Sequence, residues 1–154
     1  MLAALAFGTL DRTSAPTVAA AAPSVSQPAA DPLSGPLVAL RLSDGTATAT
    51  LEDTPASREF AAMLPATLML RDPMGQAKSG RLPAELAVTD ADRVMDPEVA
   101  GMYYWPASGD IAIFYDDLGQ TVPPPGMVPL GTVTSGLPII AAAGNRFTVS
   151  MKAV

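Results

Sequence analysis

The sequence predicts a mainly β protein: a closed antiparallel barrel of eight strands with one or two short capping helices. Three observations carry that expectation. Short runs of alternating or wholly apolar residues recur from position 37 to position 154, separated by turn residues. Their connections are hairpin-like, without the strand–helix–strand rhythm of a parallel sheet. A sheet this small exposes two edges unless it closes on itself, and closure removes both.

The first two strands make a hairpin. In LVALRLSDGTATATL, positions 37–51, Val38, Leu40 and Leu42 share one face, and Ala47, Ala49 and Leu51 continue it beyond Asp44-Gly45. Alternation around Asp-Gly is a strong hairpin signal. DTPASREFAAML then reads as a helix, with Thr54 as its cap and Pro55 at the first helical position. Ala56, Phe60, Met63 and Leu64 form its apolar stripe, and Pro65 ends it. ATLMLR is a strand with Leu68 and Leu70 inward. DPMG, positions 72–75, is a turn with proline second, and QAKSGRL returns as a weaker strand.

Positions 83–100 read as a long polar loop. GMYYW and IAIFY, joined by PASGD, are strands apolar on both faces, so both faces are covered. MVPLGTV is a further strand, and SGLPIIAAAG a short helix or covering loop. In RFTVSMKAV, Phe147, Val149, Met151 and Ala153 face inward, and Arg146, Thr148, Ser150 and Lys152 outward. Between IAIFY and MVPLGTV, the prolines at 123–125 cannot sit inside a sheet, so they are expected to form an extended, polyproline-type arm. The arm is either a stiff loop that restricts the unfolded chain or a rigid rim beside a binding groove.

Positions 1–36 differ from the rest. They form an Ala/Pro/Ser-rich leader with too little bulky apolar surface to fold, ahead of a single domain over 37–154. The opening MLAALAF, followed by small residues, fits the remnant of a signal peptide and so a secreted or periplasmic protein. No Lys or Arg precedes the apolar run, and a cytoplasmic location stays open. No window reaches the about 18 apolar residues of a membrane span.

Composition bounds the chemistry. The chain of 154 residues carries a net charge of −6, which argues against nucleic acid, whose phosphates require clustered Lys and Arg. It contains no cysteine and no histidine. That removes disulfides, thiol nucleophiles, Ser-His-Asp triads and nearly all zinc, copper and haem sites. No cofactor is expected.

The hairpin running into LEDTPASREFAAMLP, then TLMLRDPMGQAKSGRLP, GMYYWPASGDIAIFYDD and PPPGMVPLGTV, resembles the bacterial cyclophilin-like family of small stand-alone domains. The resemblance covers 37–154 and implies an eight-stranded barrel with capping helices. True cyclophilins isomerise X-Pro bonds in a groove on the barrel wall. Their arginine follows a Phe-His pair, with further Phe, Gln, Trp and His nearby. This chain has no histidine, and Arg81, in SGRLP, matches no part of that motif. No catalytic residue is carried over.

Tyr104, Trp105 and Tyr115, with Pro124 of the arm as a wall, are the candidate ligand-binding residues, because aromatic rings offer flat area and a polar tip. Filling the barrel core is the competing role for the same rings. Asp90, Asp92, Asp96 and Glu98 share one loop and have the oxygen chemistry of calcium, but they lack a calcium-loop pattern and read as a solvated acidic loop, so no metal site is expected. The function expected is a non-enzymatic binding or accessory module for a peptide or small molecule. The alternative is a divergent peptidyl-prolyl isomerase.

Overall fold

The computed structural model describes residues 35–73, 75–88, 91–119 and 121–154. The leader expected over 1–36 therefore lies, up to Ser34, outside the described residues. Gly35 and Pro36 are already tied to the domain: the Gly35 N–H donates to the Leu51 carbonyl, and the Leu51 N–H to the Pro36 carbonyl, both at 3.0 Å.

Among the described residues eight strands form: β1 (Leu37–Leu42), β2 (Gly45–Leu51), β3 (Ala66–Arg71), β4 (Ala77–Arg81), β5 (Gly101–Trp105), β6 (Asp110–Phe114), β7 (Val128–Ser135) and β8 (Arg146–Ala153). They close into an antiparallel barrel in the order β1-β2-β7-β5-β6-β4-β3-β8, with β8 pairing back onto β1. The expected closed eight-stranded barrel is the fold this chain adopts. Period-two alternation fills it: Val38, Leu40, Ala47, Ala49, Leu51, Leu68, Leu70, Val149 and Met151 point into one core. Leu42 and Phe147 are half-buried. Ala153, expected inward, is exposed, because it is the last residue of β8 and stands at the barrel rim.

Two helices, α1 (Pro55–Ala62) and α2 (Leu137–Ala141), plug opposite ends. Leu51, at the end of β2, pairs with Gly131, whereas Thr48 pairs with Ser135 at the end of β7. A helix leaving β2 and one leaving β7 must therefore exit from opposite rims. Thr54 caps α1 as expected, its Oγ1 accepting the Ser57 N–H at 3.1 Å. Phe60 drops into the core, and the buried Ser57 hydroxyl donates to the Leu130 carbonyl at 2.8 Å, fixing α1 to β7. At the other rim Gly136 opens α2 with φ 82°, and a Cβ there would lie 2.7 Å from Ala47 Cα.

The stretch expected to be a polar loop also helps to build the core. Leu86 and Val88 are buried in it, next to Leu82 just before the stretch, because the α1 end of the barrel has apolar space that the helix alone leaves open. A second apolar cluster covers the outer faces of β4, β5 and β6: Tyr103, Phe114, Ala77, Ala112, Val122 and Met127, with Val94 and Trp105 packed against it. Tyr103 and Phe114 meet edge to face, 5.7 Å between centroids. Both faces of β5 and β6 are thus covered, as their composition predicts. Because Val122 and Met127 are both anchored in this cluster, the prolines between them double back rather than extend. The Gly126 N–H donates to the Pro123 carbonyl at 2.9 Å, closing a turn where the sequence suggested a polyproline arm.

Candidate functional site

The aromatic residues singled out in the sequence point in different directions. Tyr104 lies inside the barrel, 1% exposed, its hydroxyl accepting the Leu86 N–H at 3.3 Å. Trp105 is half-buried on the outer wall against the Tyr103 cluster. Tyr115 stands at the α2 end and Pro124 is exposed on the proline turn. Tyr104, Trp105 and Tyr115 therefore belong to the interior, the outer wall and the barrel rim, and none of the four lines the cavity described below.

Tyr115 belongs to a polar network that sequence reading missed. Lys78, on the inward face of β4, is buried, and its ammonium reaches the Asp72 carboxylate at 3.1 Å and the Gly144 carbonyl at 2.7 Å. The Tyr115 ring lies 5.0 Å from that ammonium, and its hydroxyl donates to Asp72 Oδ2, the same carboxylate oxygen that Lys78 reaches. Burial, the hydrogen bond to Asp72 and the charges of Asp72 and Asp116 push the Tyr115 hydroxyl up to about 12. Burial also raises the Asp72 carboxyl, but hydrogen bonds from Tyr115, Gly75 and Lys78 and the lysine charge outweigh it, leaving its pKa lowered. Every member has a partner, which is the signature of a structural clasp across the rim.

A different place has the shape and chemistry of a site. A cavity of about 380 Å³ opens between the end of β2, the start of α1, the start of β7 and the 87–92 stretch. Its apolar walls are Pro55, Ala56, Ala87, Ala91, Val128 and Pro129, and its polar groups are Glu52, Thr54 and Asp92. The Glu52 backbone is held by its N–H bond to the Leu130 carbonyl, 2.9 Å. Burial, followed by the charge of Asp92, raises the Glu52 carboxyl above its ordinary 4.5. Among the described residues the ion pairs are Arg58–Asp53 and Lys78–Asp72, so no cation neutralises this pair of carboxylates.

The wall formed by 86–88 is held from three sides. Tyr104 takes the Leu86 N–H, both Glu59 oxygens accept the Ala87 N–H at 3.2 Å, and Arg93 Nη2 donates to the Val88 carbonyl at 3.1 Å. Tyr104 thus serves the cavity from behind, as a positioning residue. The Thr54 hydroxyl is committed to capping α1 and to Ser57, so it is a poor nucleophile. The arrangement is suited to holding a cation on an apolar body. Asp92 was visible in the sequence only as part of an acidic loop, and Glu52 carried no signal at all. Their pairing spans 40 positions and exists only in the fold.

Among the described residues no three carboxylates converge where they could hold a metal ion, and Asp90 lies outside those residues. Nor is any helix among them long and apolar enough to cross a membrane.

The barrel is similar to the solution structure of a hypothetical protein from Archaeoglobus fulgidus, with a TM-score of 0.57 and 13% identity over 78% of this chain and 95% of that one. At that identity the likeness is one of fold. No curated protein matches the chain in sequence. Residues 40–152 match the cyclophilin-like family, from the first strand of the barrel to the last. With strands, helices and closure arranged as described, this chain belongs to the cyclophilin-like family.

Proposed function

We propose that this protein is a non-enzymatic binding module, and that the Glu52–Asp92 cavity receives a cationic group carried on the apolar body of a peptide or small molecule. The observation that carries the reading is the unneutralised carboxylate pair. Holding Glu52 half-buried beside Asp92 raises its pKa and so costs free energy once it ionises. An amine or guanidinium entering the cavity removes that cost, while Ala56, Ala87 and Val128 take up the apolar part. The cavity's volume is in the usual range for small-ligand sites.

Two further features favour binding over isomerisation. The chain has no histidine, and the outer wall of β4, β5 and β6 is occupied by Val94, Val122 and Met127 from the chain's own loops. Amide spectra of the full chain titrated with N-acetyl-lysine amide, and with its uncharged counterpart N-acetyl-norleucine amide, test the reading. Saturable shifts at Ala56, Ala87 and Val128 are expected with the lysine compound, and their loss in Glu52→Gln. Equal shifts with both compounds, or none at these residues, would overturn it.

A further inference from the structure

The outer face of β3, β4 and β8 carries charge of the opposite sign. Arg71 on β3 and Arg146 on β8 stand directly opposite each other in register. Like charges in a direct cross-strand pair oppose folding. Neither is relieved: among the described residues the paired cations are Arg58 and Lys78, and no carboxylate lies within 4.0 Å of Arg71 or Arg146. Arg81, two positions along β4 from Ser79, the partner of Arg71, brings a third guanidinium to the same groove. Asp110, in register with Arg81, is the groove's one carboxylate. Three guanidiniums against one carboxylate leave a formal charge of about +2 in a chain whose net charge is −6.

The groove has a volume of about 360 Å³. Its floor is Gly80, where a Cβ would meet the Met69 carbonyl oxygen at 2.2 Å, so only glycine allows β4 to lie this close to β3. Ser108, in the turn between β5 and β6, adds a hydroxyl at the edge. We propose that this groove binds a tetrahedral dianion, a phosphoryl or sulfuryl group, clasped by Arg71, Arg81 and Arg146.

Charge complementarity selects the dianion. A planar carboxylate is satisfied by a single guanidinium fork, whereas forks arriving from three strands suit an anion with oxygens on three sides. The site is independent of the Glu52 cavity and asks for the opposite ligand chemistry, so either reading can fail alone. The unrelieved Arg71–Arg146 pair follows from the same account, since the bound anion is what neutralises it.

The test follows arginine Nε–H resonances of the full chain at low ionic strength during titration with inorganic phosphate, inorganic sulfate, O-phosphoserine and acetate. Saturable shifts on three arginines are expected with each dianion. Tighter binding of O-phosphoserine than of inorganic phosphate would assign the group to an ester, and the reverse order to the free ion. Arg146→Gln, which also removes the like-charge contact and so keeps the fold, should weaken binding by about tenfold. Arg41→Gln, on β1 outside the groove, should leave it unchanged. Acetate binding as tightly as phosphate, or a response that persists in an Arg71→Gln/Arg146→Gln double variant, would overturn the assignment.

Discussion

Lys78 and Asp72 form an ion pair of 3.1 Å with side chains only 2% and 8% exposed, whereas most charged residues among those described are exposed. The two partners are not equivalent. Without Lys78, Asp72 retains the Tyr115 hydroxyl and the Gly75 N–H. Without Asp72, the buried ammonium retains only the Gly144 carbonyl and the ring faces. Asp72→Ala should therefore cost about 3–5 kcal/mol by urea denaturation, and Lys78→Met clearly less. The double variant should resemble Lys78→Met, since it no longer buries an unpaired charge. Equal losses in the two single variants would contradict this asymmetry.

Glu52 and Asp72 give stability opposite dependences on pH. The Glu52 pKa is raised, so the native state holds that proton more tightly than the unfolded chain, and stability falls as pH rises from 4.5 through the native value. The Asp72 pKa is lowered, so its contribution is present above 3.8 and is lost as pH falls through the native value. Glu52→Gln should gain stability relative to the natural sequence on going from pH 4 to pH 7, as read by urea melts. Parallel curves for the two proteins would show that Glu52 is not perturbed.

Ala100 is held at φ 76°, in the left-handed region that an L side chain resists. It is fixed there because its N–H donates to the Phe114 carbonyl and its own carbonyl accepts the Val133 N–H, each at 2.8 Å. Ala100→Gly should stabilise the domain by about 0.5–1 kcal/mol, relief of strain exceeding the added freedom of the unfolded chain. Ala100→Val should destabilise it by more than that. The denaturant midpoints of the two variants should move in opposite directions.

A protease-coupled assay on a proline tetrapeptide at micromolar protein should show no acceleration over the uncatalysed rate. A clear acceleration lost in Arg81→Ala would restore the isomerase alternative.

Much of the barrel was legible in the sequence because local signals and the fold agree. Alternation around Asp44-Gly45 gave the β1–β2 hairpin, Thr54-Pro55 gave the start of α1, and the doubly apolar GMYYW and IAIFY gave two strands covered on both faces. What stayed hidden depends on contacts between distant positions. Nothing in local pattern places β7 between β2 and β5. Leu86 and Val88 are single apolar residues in a polar stretch, and only the open end of the barrel makes them core. Lys78 lies in a weak strand whose pattern does not assign it to either face. The aromatic residues drew attention by type, yet Tyr104 and Tyr115 are engaged with the backbone and with Asp72. The cavity's own carboxylate, Glu52, lies at a strand end with nothing to mark it.

The most direct test of the central claim, that Glu52 receives a cation, is the proton balance of binding. Isothermal titration of N-acetyl-lysine amide into the full chain would be run just above pH 4.5 in two buffers of different ionisation heat. A cation beside Glu52 lowers its raised pKa, so binding should release protons, the observed heat should differ between buffers, and Glu52→Gln should abolish the difference. Equal heats in both buffers, with Glu52→Gln binding as tightly as the natural sequence, would contradict the account.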